Sequence, residues 1–171
     1  MKLTYFSAYG RAEAIRMLLH HSKTDYENKM IKFEDLPALK ASGELPNGQL
    51  PVFELEGRVL NQSAPILRLL GDLKGYYNRQ DASAAYEADW VIATVDDTYT
   101  GDFYRTFMSP EAADEACVAD KIARQSKLYA QLEAKLADNK FFGGEAMSIG
   151  DLYVLAFVTS FTLNKKGRNP A

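Results

Sequence analysis

Pro51-Val52-Phe53-Glu54-Leu55-Glu56-Gly57-Arg58-Val59-Leu60-Asn61-Gln62-Ser63-Ala64-Pro65 sets a strand pair directly against the start of a helix. Val, Phe and Leu recur on either side of Glu56-Gly57, so residues 51–60 read as a β-hairpin with its turn at Glu56-Gly57. A helix follows from Ser63 to about Lys74. Pro65 falls in its first turn, where a missing N–H costs little. Two features of this stretch have functional readings. Leu50-Pro51 stands at the strand entrance, where proline is permitted; a cis bond there would make a deliberate turn and leave the Leu50 backbone open to pair with an extended peptide. At Asn61 to Pro65 the free amides and positive dipole end of a helix suit a carboxylate, and the Ser63 hydroxyl could cap the helix or hold that anion.

Upstream, Lys2 to Ser7 is short, aromatic and β-prone. Residues 11–22 place Ile15, Leu18 and Leu19 at helical spacing. Tyr26 to Phe33 reads as a second strand and Leu36 to Ala41 as a short helix. The order β-α-β then β-β-α implies a small mixed sheet with helices packed on it. Downstream, Gly71 to Ser83 is polar and Tyr-rich and reads as linker, after which strand signals stop. Residues 84–108 and 114–138 read as amphipathic helices broken by Met108-Ser109-Pro110. Ile122, Leu128, Leu132 and Leu136 mark the second one's apolar stripe. Asn139 to Ala146 is a loop. Ser148-Ile149-Gly150-Asp151 is a capping-box start, with Met147 able to staple onto Leu152. Leu152 to Leu163 is apolar nearly all round, as suits a buried central helix. Asn164 to Ala171 reads as a polar tail. The domains expected are 1–75 and 84–171, with 76–83 between them.

Composition bounds the function. The 171 residues are 47% hydrophobic and 25% charged, with net charge −3 and a pI near 5.4. No basic face suggests nucleic acid. Cys117 is the single cysteine, so no intrachain disulfide forms, which fits a reducing compartment. The N-terminal apolar run is too short for a signal peptide, and Leu152 to Leu163 is too short to span a bilayer. A cytoplasmic protein without membrane contact is the expectation. Thiol-disulfide chemistry would need Cys-x-x-Cys at the first helix, where the chain reads Tyr9-Gly10-Arg11-Ala12. His20 and His21 are neighbours on a helix and do not face one point, so no metal site is expected. Asp96-Asp97 is a carboxylate pair pointing about 100° apart. Gly-x-Ser-x-Gly is missing, and with it any motif for serine hydrolysis.

In order and spacing over about residues 2–160, one set of segments resembles the cytosolic glutathione transferase family, sigma-like class. They are Lys2-Leu3-Thr4-Tyr5-Phe6 with Gly10-Arg11-Ala12-Glu13 and Ile15-Arg16, Gly48-Gln49-Leu50-Pro51-Val52, Gln62-Ser63-Ala64-Pro65-Ile66, Val95-Asp96-Asp97, and Ser148-Ile149-Gly150-Asp151-Leu152-Tyr153. The resemblance implies an α/β thioredoxin-like N-terminal domain, an all-α helical C-terminal domain, a homodimer and glutathione as co-substrate. By position, Tyr5 resembles the catalytic tyrosine and Arg11 the arginine that tunes the sulfur. Gln49 and Leu50 match the segment pairing with the cysteinyl backbone, ahead of the cis-proline Pro51. Gln62 and Ser63 match the pair holding the γ-glutamyl carboxylate. Lys40 matches a lysine on the glycine carboxylate. Asp97 matches an aspartate reaching from the partner subunit to the γ-glutamyl amine. The second substrate would lie against Tyr9, Asp96, Tyr99, Tyr104, Tyr153 and Phe157.

The chain departs from the pattern in three places. Leu36 stands where the family often has tryptophan. Ala93 stands where prostaglandin D synthases of this class carry a metal-binding aspartate. Family members usually continue for several helices beyond the one starting at Ser148, and those helices wall the second-substrate pocket.

The implied chemistry is nucleophilic attack by glutathione on hydrophobic electrophiles, a detoxification reaction, with peroxidase or prostaglandin isomerase activity beside it. A free thiol of pKa about 8.5 is only roughly 3% thiolate at pH 7. The Tyr5 phenol stays protonated and donates to the thiolate, while Arg11 adds charge that cannot titrate away. Lowering the thiol pKa by about two units needs roughly 2.7 kcal/mol, within reach of one charge-assisted hydrogen bond plus a guanidinium. Ser7 shares the strand face of Tyr5 and is the competing activator. The contrasting reading is a weakly catalytic or non-catalytic glutathione or ligand binder, like the lens crystallins of this fold.

Overall fold

The computed structural model describes residues 1–99 and 115–164. Its first part contains β1 (Lys2–Phe6), α1 (Glu13–His21), β2 (Glu27–Ile31), α2 (Leu36–Ala41), β3 (Val52–Leu55), β4 (Arg58–Asn61) and α3 (Ser63–Lys74). The sheet order is β2-β1-β3-β4, with β1 parallel to β2 and the other pairs antiparallel. A parallel pair cannot be joined by a tight turn, and α1 supplies the crossover. The β3–β4 hairpin closes at Glu56-Gly57 with φ of 50° and 78°, the positive-φ turn whose twist matches that of the strands. Leu3 and Phe53 from the sheet meet Ile15, Leu18 and Leu19 of α1 and Ile66, Leu67 and Leu70 of α3 in one core.

The helical part contains α4 (Ala82–Thr98), α5 (Glu115–Leu136) and α6 (Ile149–Phe157), the last continued by a π-helical turn, Val158–Thr162. Together these two parts make the thioredoxin-like plus helical fold. α6 is its hub, packing on α1, α3 and α4. Glycines allow the close approach: a Cβ on Gly71 would stand 2.5 Å from Ile149 Cγ2, and one on Gly150 3.2 Å from Val91 Cβ. Arg68 and Tyr77 both donate to Asp89, at 2.6 and 3.1 Å, and so tie α3 and the following turn to α4.

The capping box forms as the sequence implies. Asp151 Oδ2 accepts the Ser148 amide at 2.8 Å, and Ser148 Oγ accepts the Gly150 amide at 3.2 Å. Asp151 Oδ1 also accepts the Phe142 amide at 3.0 Å, which fastens the 139–146 loop. α3 runs to Lys74, as the sequence reading has it. α4 begins at Ala82, ahead of the start read at residue 84, because Asp81 accepts the Ser83 and Ala84 amides, both at 3.0 Å. On α5, Leu128 and Leu132 are buried, but Ile122 is 41% exposed and Lys121 is 2% exposed. The buried stripe therefore passes through 121, 128 and 132, and Ile122, rotated about 100° from its neighbour, faces out. Burial pushes the Lys121 ammonium pKa down. The Met108-Ser109-Pro110 break, the end of the helix read at 84–108 and all of the tail after Asn164 lie outside the described residues.

Candidate active site

The chain leaves β1 at Phe6 and enters a one-turn 3-10 segment, Gly10–Ala12, ahead of α1. Gly10 has φ +63°, and a Cβ there would stand 2.9 Å from Tyr5 Oη, so the backbone and the approach of the phenol both require glycine. Next to it, the Arg11 amide donates to Tyr5 Oη at 3.1 Å, while the Gly10 amide donates to Ser160 Oγ at 3.0 Å. Two successive amides of one turn thus bind a strand tyrosine and the end of the helical part.

Arg16 holds this loop from α1. It donates to the carbonyls of Ala8 at 2.7 Å and Phe6 at 3.2 Å and pairs with Glu13 at 3.0 Å. Its guanidinium lies 5.6 Å from the centroid of the Tyr5 ring. Sequence reading assigned Arg16 no role beyond membership of the motif. Helical spacing beside Glu13 hints at a salt bridge, but the reach to two loop carbonyls appears only in three dimensions.

A cleft of about 460 Å³ opens beside this loop. Leu36, Lys40, Gln49, Leu50, Pro51, Gln62, Ser63 and Arg11 line it, with Phe6 and Gly48. The Leu50–Pro51 peptide is cis, and Leu50 stands just outside β3. Gln62 holds φ 70° and ψ 119°, a sparsely populated conformation of the kind found at functional sites. Its side-chain amide donates to Gln49 Oε1 at 3.3 Å, joining the helix tip to the loop before the proline. No side chain caps α3; Ser63, expected either to cap or to hold an anion, is buried as its first residue and borders the cleft. The lining carries two cations, Arg11 and Lys40, a helix N-terminus and no carboxylate. Such a wall favours a ligand bearing carboxylates.

Tyr5 is 4% exposed and is not part of the cleft wall, which it meets through the Arg11 amide and, edge-on, the Phe6 ring. Ser7, the competing activator, is exposed. The residues read as a second-substrate pocket fall into three groups. Tyr9 is 52% exposed. Asp96 and Tyr99 meet Arg11: Asp96 Oδ1 accepts Arg11 Nη1 at 3.1 Å, and the guanidinium lies 4.4 Å from the Tyr99 centroid. Tyr153 and Phe157 are core residues at 3% and 1% exposure. Tyr153 donates to Asp96 Oδ1 at 2.7 Å, and burial, reinforced by the Asp96 charge, raises its phenol pKa far above the usual value. Tyr104 lies outside the described residues. Asp97 is exposed on α4.

A smaller hollow of about 320 Å³ lies at the other end of β1, lined by Lys2, Glu27, Glu54 and Glu56 among others. It is acidic where the main cleft is basic. Among the described residues no three His, Cys, Asp or Glu side chains converge as metal ligands, and no helix is long and apolar enough to cross a membrane.

Comparison with known proteins gives a consistent answer. The model of the glutathione S-transferase N-terminal domain matches residues 1–72, and that of the C-terminal domain matches residues 95–166. Hematopoietic prostaglandin D synthase of Gallus gallus is 30% identical over 156 residues, covering 89% of this chain and 74% of the relative. The Rattus norvegicus enzyme of that name is 32% identical with the same coverage. The glutathione S-transferase structure from Ascaris lumbricoides superposes with a TM-score of 0.81 at 29% identity, covering 92% of this chain and 78% of the other. Rat hPGDS complexed with a quinoline superposes at 0.77 and 30% identity, covering 95% and 81%. The chain belongs to the glutathione S-transferase family, as a glutathione transferase with glutathione as its co-substrate.

Proposed function

We propose that this is a sigma-like transferase that binds glutathione in the basic cleft and activates its thiol with Tyr5 for attack on hydrophobic electrophiles. The observation that carries the reading is the cleft wall: Lys40, Arg11 with its partner Asp96, a helix tip and the Leu50–Pro51 turn border one space whose lining holds no carboxylate. Glutathione fits that wall. Its γ-glutamyl carboxylate goes to Gln62, Ser63 and the free amides of α3, its cysteinyl backbone to Leu50, and its glycine carboxylate to Lys40.

The sulfur then belongs at the Arg11 side, near Tyr5. The Arg11 amide occupies a lone pair of Tyr5 Oη rather than its proton, and a phenol that accepts a hydrogen bond becomes a better donor. Donation to the sulfur stabilises thiolate over thiol, and the Arg11 guanidinium adds charge nearby. Asp96 and the Tyr99 ring hold that guanidinium in place. The same thiolate would serve prostaglandin isomerisation, and two of the relatives are named prostaglandin D synthases. A cytoplasmic homodimer with domains at 1–75 and 84–171 completes the reading, Asp97 reaching the partner subunit's glutathione.

Tyr5→Phe tests it. Turnover of a model aryl halide is expected to fall about ten- to a hundred-fold, the range for one hydrogen bond to a charged group, with glutathione retention on an affinity matrix kept. Unchanged turnover moves the activating role to Ser7 or Arg11.

A further inference from the structure

Ser160 is buried in the π-helical turn Val158–Thr162 that continues α6. The Leu163 amide closes the turn on the Val158 carbonyl at 2.9 Å, an i→i+5 bond. Such turns are rare and concentrate at functional sites. This one is held from two sides. Asn164 Nδ2 donates to the Ser160 carbonyl at 3.1 Å, and Thr162 Oγ1 pairs with the Tyr129 hydroxyl of α5.

The Ser160 hydroxyl directs its proton into its own helix, onto the Ala156 carbonyl at 2.6 Å. Its lone pairs are left to accept, and the Gly10 amide donates to them at 3.0 Å. A hydroxyl that is already donating is the better acceptor. Gly10 is the joint of the loop that carries the Arg11 amide. The peptide before it is fixed by Ser160, and the peptide after it by Tyr5 Oη, which accepts the Arg11 amide at 3.1 Å. With φ +63° and no side chain, Gly10 offers little resistance of its own to rotation. The two hydrogen bonds therefore set how these peptides are turned. Arg16 clamps the stretch upstream through the Phe6 and Ala8 carbonyls, and the helical part supplies the hold downstream.

Resting on the proposed activation of the thiol by Tyr5, we propose that Ser160 is a positioning residue for that activation. Ser160 is not among the residues lining the cleft, and it acts through the Gly10 amide. It holds the glycine joint in the orientation that aims the Arg11 amide at Tyr5 Oη. Without the Oγ acceptor, the Gly10 amide is left facing a buried wall, and the joint turns to find another partner. The Arg11 amide then leaves the phenol, and Tyr5 becomes a weaker donor to the sulfur. The helical part thereby tunes a thiol held on the sheet-bearing part.

The test titrates the thiolate ultraviolet absorbance of glutathione bound to the full chain in wild type, Ser160→Ala and Thr162→Val. Thr162→Val takes a hydroxyl from the same turn without touching the Gly10 amide, so it reports what loosening the turn does alone. Neither substitution alters charge: Arg11, Glu13, Arg16 and Asp96, the charged groups around the loop, stay as they are. Ser160→Ala is expected to raise the bound-thiol midpoint by about half a unit to one unit, roughly a three- to ten-fold loss of preference for thiolate. Thr162→Val should leave the midpoint in place. S-methylglutathione, which has no thiol to activate, should bind all three proteins within about two-fold. Alanine is the better helix former, so Ser160→Ala is expected to fold. A midpoint in Ser160→Ala equal to that of wild type overturns the inference, as does an equal rise in Thr162→Val; both leave Tyr5 standing. Loss of S-methylglutathione binding in Ser160→Ala overturns it too, since Ser160 would then support the whole site. A wild-type midpoint at the free-thiol value overturns the Tyr5 reading, and the role of Ser160 with it.

Discussion

At Tyr5 the hydroxyl accepts the Arg11 amide, and Arg16 fixes the loop that carries that amide through the carbonyls of Phe6 and Ala8. On the proposed role of Tyr5, thiol activation would depend on Arg16, which is not among the residues lining the cleft. Arg16→Ala removes both carbonyl bonds and leaves Glu13 without its partner. It is expected to reduce kcat several-fold while glutathione affinity changes little, because Leu50, Gln62 and Ser63 are held by other elements. It should also lower stability by about 1–3 kcal/mol, as expected when a half-buried charged network loses its centre. Arg16→Lys, a point charge without the planar fork, should recover little of either. A wild-type pH–rate profile in Arg16→Ala would show that the clamp is structural only. Tyr5 was legible from sequence as a strand aromatic in a recognisable motif. Its contact with Arg11 was not, because the approach depends on the positive φ of Gly10.

The elements were read most accurately where local chemistry decides them. The Glu56-Gly57 turn, the short helix Leu36–Ala41 and the Ser148–Asp151 box all formed as the residues imply, since turn and cap preferences act within four residues. Reading was poorer where tertiary packing decides. Ile122 reads into the apolar stripe but lies six residues before Leu128, about 120° off that face, and is exposed, while Lys121, seven residues before Leu128, is buried. Gly71 reads both as the last part of a helix ending near Lys74 and as the start of a polar linker; it sits inside α3, where α6 passes too close for a Cβ. This gives an opposed pair of expectations for Gly71→Ala. Helix propensity alone would stabilise α3 by about 1 kcal/mol. The new Cβ, 2.5 Å from Ile149 Cγ2 and 3.0 Å from Tyr77 Cβ, should instead cost about 1–3 kcal/mol by overpacking. A net loss of roughly 2–8 °C in Tm is expected. A rise in Tm would mean that α3 and α6 separate easily.

Over the whole molecule, the basic cleft belongs to the sheet-bearing part, while the helical part reaches the loop beside it through Asp96 and Tyr99 on Arg11 and Ser160 on the Gly10 amide. The general plan was visible in the order of segments, but the closing of Tyr153 and Phe157 into the core was not, since apolar residues on a central helix read alike whether they line a pocket or fill a core. Asp97, exposed on α4, belongs to the proposed assembly. If it serves a neighbouring subunit's site, Asp97→Ala lowers glutathione affinity about ten-fold or more, and dilution of the wild type below its dimer dissociation constant does the same. Equal affinity in Asp97→Ala and at all protein concentrations would show that one chain holds the complete site.

The central claim concerns the charge state of bound sulfur. The direct measurement is a pH titration of thiolate ultraviolet absorbance for glutathione bound to wild type and to Tyr5→Phe. The account predicts a wild-type midpoint about two units below the free thiol's value of roughly 8.5, with Tyr5→Phe returning most of the way toward it. A bound thiol that titrates at the free value in wild type, or at one shared value in both proteins, would contradict it.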